Sequence, residues 1–182
     1  MYKRQISAGR EHQYDMPILQ AAIDINYRQR RVIIDKLLRH LKTVKGKRVT
    51  VLGMAFKPNT DDLRDAPTHD LISQLNRLGA SVTAHDPIAM KRAAREWTHL
   101  NYTPAGSVEE AFDRADAVIL ATEWDDYVHM DWNPLLASMR RPLVIDARNV
   151  IRSPINALVE QVGRDAPRGA VSYTHLRAHE TR

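Results

Sequence analysis

The sequence contains no cysteine, and this absence excludes several kinds of chemistry. A chain without cysteine forms no disulfide, holds no metal through thiolates and offers no cysteine nucleophile. It has no apolar run near the roughly 20 residues that a membrane-spanning helix requires, and its first residues lack the apolar core of a signal peptide. We therefore expect a cytoplasmic protein that has no membrane partner.

Composition and charge place the chain among ordinary globular proteins. Its 182 residues are 43% hydrophobic and 27% charged, which suits one domain and an appendage. Of the net charge of +5, residues 1–5 contribute +2 and residues 171–182 contribute +1, which leaves +2 for the rest. In that remainder the two signs are interspersed, and no basic stripe matches a phosphate backbone. We expect no nucleic-acid partner.

Residues 1–5 and 171–182 show neither periodicity nor turn signals, and both segments are basic. We interpret them as non-native ends, which would make the chain a fragment of something longer; native frayed termini are the alternative. This leaves two predicted regions. Residues 6–46 form a long central helix that serves as linker or dimer contact, and residues 47–170 form the main domain.

The long helix is predicted from apolar residues at helical spacing between residues 18 and 41. Asp15 is a suitable N-cap, Pro17 is tolerated in the first turn, and Gly46 is a plausible end. A helix of about 30 residues would be about 45 Å long, so it should bridge two domains or pack against another subunit. The charged segment 27–31 interrupts the apolar stripe; it is either solvated or carries an arginine that meets a partner chain.

The stretch Val49–Asp65 organises the rest of the chain. A short β-branched run ends at Gly53 and is followed by a polar turn and by a helix that closes at Gly79. Later segments alternate between strand and helix patterns, so we predict an α/β fold: a Rossmann-like parallel sheet with helices on both faces, preceded by the long central helix. The predicted strands are 49–52, 82–85, 117–122 and 143–145; the helices are 67–79, 88–97, 107–115, 133–140 and 154–162, with 101–106 irregular.

Polar residues follow each predicted strand, and parallel strands end at the same edge of a sheet, where α/β proteins bind ligands. Lys57, Arg64 and Arg148 could converge there on a diphosphate, since arginine offers a bidentate fork and lysine a point charge. The alternative is that the first two pair with nearby surface acids and that Arg148 braces Asp146. The other residues at these ends are Asp86, Thr122, Glu123, Asp125, Asp146 and Asn149.

The dinucleotide fingerprint G-x-G-x-x-G is missing, because only Gly53 stands at the first turn. We therefore do not expect a self-sufficient NAD site. The adjacent acids Asp61 and Asp62 lack a third ligand, so we predict no metal site. His69 is expected to have a structural or solvent-exposed role. Trp124 and Trp132 are expected to pack over the sheet edge, with stacking on a base as the alternative, and Phe56 either covers a ligand or packs in the core. From the residues alone we predict a module that binds a nucleotide sugar or a nucleotide phosphate.

The segment GMAFKPNTDDLRDAP, residues 53–67, resembles the signature of the UDP-glucose/GDP-mannose 6-dehydrogenase family at the start of its C-terminal, UDP-binding domain. Residues 21–31 are similar to that family's central helix. The segments HDP, ATEW and DARN, at residues 85–87, 121–124 and 146–149, follow in the family's order. The resemblance covers about residues 6–165, and it is closer to the UDP-glucose members than to the GDP-mannose members.

This resemblance implies a function and a set of site residues. Enzymes of the family oxidise the C6 hydroxyl of a nucleotide sugar twice, with two NAD+, through a thiohemiacetal and a thioester on a cysteine. Their products are used in polysaccharide biosynthesis. By resemblance, Lys57 contacts the UDP part of the substrate, Phe56 lies beside it and Arg148 helps to hold it. Arg64 reaches the cofactor NAD. The long helix forms a homodimer contact.

The sequence departs from the family's pattern in three respects. It has no catalytic cysteine, it has no N-terminal dinucleotide domain, and Ala147 stands where glycine is usual. We therefore expect the C-terminal fragment of an NAD-dependent UDP-glucose 6-dehydrogenase, inactive alone and without a catalytic residue of its own. The alternative is a stand-alone nucleotide-sugar-binding or dimerisation module. A complete NAD-binding protein of another class is disfavoured by the lone Gly53.

Overall fold

The computed structural model describes residues 16–152 and 155–162. A long helix is followed by alternating strands and short helices. In chain order the elements are α1 Pro17–Leu41, β1 Arg48–Leu52, α2 Pro67–Arg77, β2 Ser81–His85, α3 Met90–Glu96, β3 Thr103–Pro104, α4 Val108–Phe112, β4 Ala117–Leu120, α5 Asp125–His129, α6 Trp132–Ala137, β5 Leu143–Asp146 and β6 Leu158–Gln161.

The six strands form one parallel sheet in the order β3-β2-β1-β4-β5-β6. β1 pairs with β2 from Arg48 opposite Ser81 and with β4 from Val49 opposite Ala117. The chain first adds strands on one side of β1 and then returns to add strands on its other side. The strand order therefore reverses between β1 and β4, and such a reversal opens a crevice at the carboxyl ends of the strands.

The same reversal places helices on both faces of the sheet. Crossovers between parallel strands are right-handed, so the helices of the two halves lie on opposite faces. α1 packs beside α2 and against β5, while α4 packs beside α6. The predicted Rossmann-like sheet, preceded by the long helix, is therefore confirmed.

The central strands of the sheet are buried, which explains why their sequences are continuous apolar runs. All four residues of β4 and all four of β5 are buried, and four of the five in β1 are buried. A parallel strand covered on both faces has no solvent side, so it shows no alternation. No helix within the described ranges is both long and apolar enough to cross a membrane.

α1 is shorter than predicted. It begins at Pro17 after Met16, whose side chain caps nothing, and it ends at Leu41 because Lys42 adopts φ 64°. The proposed cap Asp15 lies outside the described residues, as do residues 1–15, 153–154 and 163–182. The predicted boundaries at 5, 46 and 170 stay predictions.

Two further predictions were wrong. Residues 158–161 were predicted within a helix, but they form β6, because pairing with β5 satisfies their backbone groups. Residues 103–104, predicted as irregular, form β3 at the opposite edge of the sheet. The short helix α5 was not predicted at all. Each of these elements is too short to show a period of its own, and tertiary pairing decides its structure.

α1 is tied to the far edge of the sheet by a partly buried ionic cluster. Lys36 Nζ donates to Glu160 Oε2 at 2.7 Å, and His40 Nε2 lies 2.8 Å from Glu160 Oε1. Burial raises the pKa of Glu160, but the hydrogen bonds from Lys36 and His40 outweigh it, and the net shift is downward. The cluster therefore fixes α1 on β6 while this carboxyl is ionised.

We predict that Glu160→Gln lowers the free energy of unfolding at pH 7 by about 1.5 to 3 kcal/mol, the worth of a hydrogen bond to a charged group. A carboxyl with a lowered folded pKa stabilises the fold above its unfolded pKa and ceases to do so as the pH falls through its folded pKa. The wild-type protein should thus lose part of its stability as the pH falls below about 4.3, the ordinary pKa of Glu, and the variant should lose less. Urea denaturation at pH 7 and pH 3.5 measures both.

The matched control is Glu96→Gln, which removes the exposed pair of Arg92 and Glu96 on α3. An exposed i,i+4 pair is worth about 0.3 to 0.5 kcal/mol. Equal effects of the two substitutions, or an unchanged acid dependence in Glu160→Gln, would contradict the role of this cluster.

Candidate functional site

A crevice of about 330 Å³ opens at the carboxyl ends of β1, β4 and β5, where the strand order reverses. Its walls are formed by the middle of α1, the start of α2, the loops that follow the three strands and Val162 after β6. Its lining is Gln29, Arg30, Ile33, Phe56, Asp65, Pro67, Thr68, Leu71, Ala121, Ala147, Arg148 and Val162.

Gly53 ends β1 and lets two loops meet closely. It adopts φ +92°, and a Cβ at this position would lie 2.4 Å from Thr122 Cβ. The buried hydroxyl of Thr122 donates to Ala55 O at 2.7 Å, and that of Thr68 donates to Gly53 O at 3.2 Å. Glycine is therefore required here both by backbone conformation and by space.

The buried carboxylate of Asp86, at the end of β2, organises the loop after β1. Its Oδ2 accepts hydrogen bonds from Met54 N at 2.7 Å, Ala55 N at 3.1 Å and Trp124 Nε1 at 3.2 Å. Its Oδ1 accepts from Ile88 N at 2.9 Å and Ala89 N at 2.7 Å. One carboxylate thus joins the loops after β1, β2 and β4.

This arrangement differs from a dinucleotide-binding turn. In such a turn, backbone N–H groups after β1 face a pyrophosphate, and glycines let the ligand approach. Here the N–H groups of Met54 and Ala55 point to Asp86, and both residues are buried. The usual phosphate donors are already engaged, in agreement with the missing glycine fingerprint.

Arg148 reaches the crevice from the loop after β5 and is held by Glu123 from the loop after β4. Its Nε donates to Glu123 Oε2, and its Nη2 donates to Glu123 Oε1 at 2.7 Å. The hydrogen bond from Arg148 lowers the pKa of Glu123. A bidentate pair of this kind orients the guanidinium plane. The side chain of Arg148 therefore pairs with Glu123, and only its backbone N–H contacts Asp146, which the sequence suggested as the alternative partner.

Asp146 has a different task. Its buried carboxylate accepts from Arg148 N at 3.1 Å and from Ile151 N at 2.9 Å, which shapes the loop after β5. Asn149 in that loop adopts φ 58° and donates to Val162 O at 2.9 Å. The loop that presents Arg148 is therefore positioned by backbone hydrogen bonds to a strand-end acid.

The structure brings two of the four predicted site residues into the lining of the crevice and leaves two outside that lining. Phe56, which is 49% exposed, and Arg148 both line it. Lys57 is exposed on the same loop as Phe56, and no ion pair within the described chain involves it. Arg64 is 81% exposed and forms a bidentate pair with Asp62 at 2.7 and 2.9 Å, which lowers the pKa of that carboxyl.

The aromatic and histidine residues singled out from the sequence have packing contacts. Trp124 is buried against Asp86, and the indole of Trp132 donates to Tyr127 O at 3.1 Å. His69 Nε2 lies 2.9 Å from His99 Nε2 at the surface. Among residues 16–152 and 155–162, no three His, Cys, Asp or Glu side chains are grouped to hold a metal.

Sequence reasoning missed the contribution of α1 and α2 to the crevice, above all Gln29, Arg30 and Thr68. Arg30 forms an ion pair with Asp70 of α2. The only local signal was the charged break at 27–31 in the stripe of α1. Which face of α1 meets α2 depends on packing that the stripe alone does not define.

The comparisons with known proteins agree with this geometry. Residues 50–153 match the model of the UDP-glucose/GDP-mannose dehydrogenase family, UDP binding domain. That range is more than half of the 182 residues and contains the loops after β1 and β4 and the part of the loop after β5 that carries Arg148. The chain belongs to the UDP-glucose/GDP-mannose dehydrogenase family.

Individual relatives point the same way. The chain is 37% identical over 161 residues to the UDP-glucose 6-dehydrogenase TuaD of Bacillus subtilis, covering 86% of this chain and 34% of the relative. It is 39% identical to AglM of Haloferax volcanii, also a UDP-glucose 6-dehydrogenase, covering 80% and 33%. A UDP-glucose dehydrogenase structure from Pyrobaculum islandicum superposes with a TM-score of 0.73 at 31% identity, covering 85% and 34%. The chain thus spans about one third of these relatives.

We predict that Gly53→Ala destabilises the protein by about 3 kcal/mol or more, because strain from positive φ and the overlap with Thr122 add together. Gly46→Ala is the matched control: Gly46 also has positive φ, at +72°, but a Cβ at this position would meet no atom within 4 Å. This control should cost about 1 kcal/mol. Thermal or urea denaturation compares them, and equal losses would disprove the close approach of the two loops.

Proposed function

We propose that this chain binds the UDP part of a nucleotide sugar for an NAD-dependent 6-dehydrogenase that converts UDP-glucose to UDP-glucuronate in two oxidations. The observation that carries the proposal is the crevice at the strand reversal, with Phe56 and the oriented guanidinium of Arg148 in its walls. The match to a UDP-binding domain over residues 50–153 supports the ligand class.

The chemistry of the crevice suits a nucleoside diphosphate. Arg148 offers a planar pair of donors, and an arginine fork matches phosphate oxygens. Lys57, exposed next to Phe56 in the same loop, adds a point charge, and the exposed ring of Phe56 can cover an apolar part of the ligand. Since backbone N–H groups after β1 are engaged by Asp86, side-chain cations take their place at the diphosphate.

In this proposal Arg64 contacts NAD that is bound mainly by a separate dinucleotide domain, which the family resemblance implies. Its 81% exposure leaves the guanidinium accessible, and the pair with Asp62 fixes its direction. The sequence offers no cysteine for the covalent chemistry that the family resemblance implies. This chain therefore supplies binding, not bond breaking.

We also propose that α1 forms a homodimer contact. Ile18 is 84% exposed and Ile25 is 53% exposed, and they lie two turns apart on the half of α1 that precedes the crevice. Exposed apolar residues at this spacing make a narrow apolar stripe, which a second helix can cover.

We predict that UDP binds saturably to the purified chain and that Lys57→Ala weakens binding about tenfold or more, since a hydrogen bond to a charged group contributes about 1.5 to 3 kcal/mol. Isothermal titration calorimetry measures the dissociation constants. Lys91→Ala, at an exposed position on α3, is the control that removes the same charge elsewhere and should leave the affinity unchanged. A UDP titration without a saturable signal argues against the binding role.

We predict that the purified chain, given UDP-glucose and NAD+, produces no NADH. The physical reason is the missing thiol, because no other side chain in the crevice is a comparable nucleophile at neutral pH. NADH absorbance gives the measurement, with a full-length UDP-glucose 6-dehydrogenase as the positive control. Steady NADH production by the chain alone would contradict the proposal that this chain binds the substrate but does not catalyse its oxidation.

A further inference from the structure

A second concavity, of about 500 Å³, lies between α1 and α2, and we name it the basic groove. Asp70, Ser73, Gln74 and Arg77 form one wall; at spacings of three and four they share one face of α2. Arg30 and Arg31 of α1 form the other wall. Arg30 also lines the crevice, so the two concavities are adjacent.

The charge of the basic groove is unbalanced. Three guanidinium groups face one carboxylate, which is a net charge of +2. That carboxylate, Asp70, is already paired with Arg30. Arg31 and Arg77 are exposed, and neither forms an ion pair with another described residue. Two cations from different helices are therefore available to one ligand.

The groove also offers neutral donors between these cations. The hydroxyl of Ser73 and the amide of Gln74 are half-buried in the same wall, and no hydrogen bond to a described residue engages either side chain. Guanidinium forks combined with neutral donors match an anion with several oxygens better than a single halide. The volume exceeds that of an inorganic ion and suits a small organic molecule.

We propose that the basic groove is a second anion-binding site, separate from the crevice, for a small molecule that carries two or more phosphate or carboxylate groups. Arg31 and Arg77 contact its charged groups, and Ser73 and Gln74 donate to its oxygens. Asp70 pairs with Arg30 within the groove, and Arg30 also lines the crevice.

The test is a titration of the full, UDP-saturated chain followed by the amide shifts of its 15N-labelled form. Saturation with UDP removes the crevice from competition. Pyrophosphate is the phosphate probe and citrate the carboxylate probe, and the tighter of the two identifies the chemical class. We expect saturable shifts confined to the neighbourhood of residues 30–31 and 73–77.

The double variant Arg31→Gln/Arg77→Gln should weaken binding of the better probe about tenfold or more. The matched control, Arg39→Gln/Arg95→Gln, removes two exposed charges from α1 and α3 outside the groove and should change the affinity less than about twofold. All four positions are exposed, so the substitutions should leave the fold intact. An unchanged amide spectrum of each variant without anion verifies this.

Three results would overturn the proposal. Shifts that do not saturate indicate a solvated basic surface. Equal losses in the two double variants indicate non-specific attraction. A shift from dimer to monomer in Arg31→Gln/Arg77→Gln, without any anion effect, indicates that the groove is an interface between copies of the chain. If UDP itself does not bind, the titration is repeated without UDP on Lys57→Ala/Arg148→Gln, so failure of the crevice is separated from failure of the groove.

Discussion

The carboxylate of Asp86 holds together the edge of the sheet on which the candidate site is built. It accepts five hydrogen bonds, from the loops after β1, β2 and β4. A buried carboxylate is tolerated only when its oxygens accept hydrogen bonds, and the donors in these loops provide them. In return the loop after β1 is drawn inward, Met54 and Ala55 are buried, and Phe56 is the first residue of that loop to emerge into solvent.

This constraint explains why a sheet with dinucleotide-binding topology has a different type of site. The strand order is that of a dinucleotide-binding domain, and the crevice lies where such domains bind their ligands. Its backbone donors, however, are turned toward a protein carboxylate. In the function proposed here, ligand recognition then falls to side chains on neighbouring loops, among them Arg148, which Glu123 holds in place.

α1 contributes more than a connection. Lys36 and His40 join it to Glu160 on β6, and Arg30 joins it to Asp70 on α2. These contacts set the helix across one face of the sheet, so that it forms one wall of the crevice and one wall of the basic groove. Because both concavities depend on the position of α1, its anchoring at β6 also determines their shape.

The sequence by itself determined the α/β class, the apolar central strands, the polar strand ends and the family, because periodicity, turn residues and a short signature are local properties. The tertiary structure alone decided β3 and β6, which are short edge strands defined by their partners. It also decided the pairing of Arg148 with Glu123 and of Lys36 with Glu160, which are 25 and 124 residues apart. Such contacts leave no periodic trace along the chain, since they arise only when separate elements pack together.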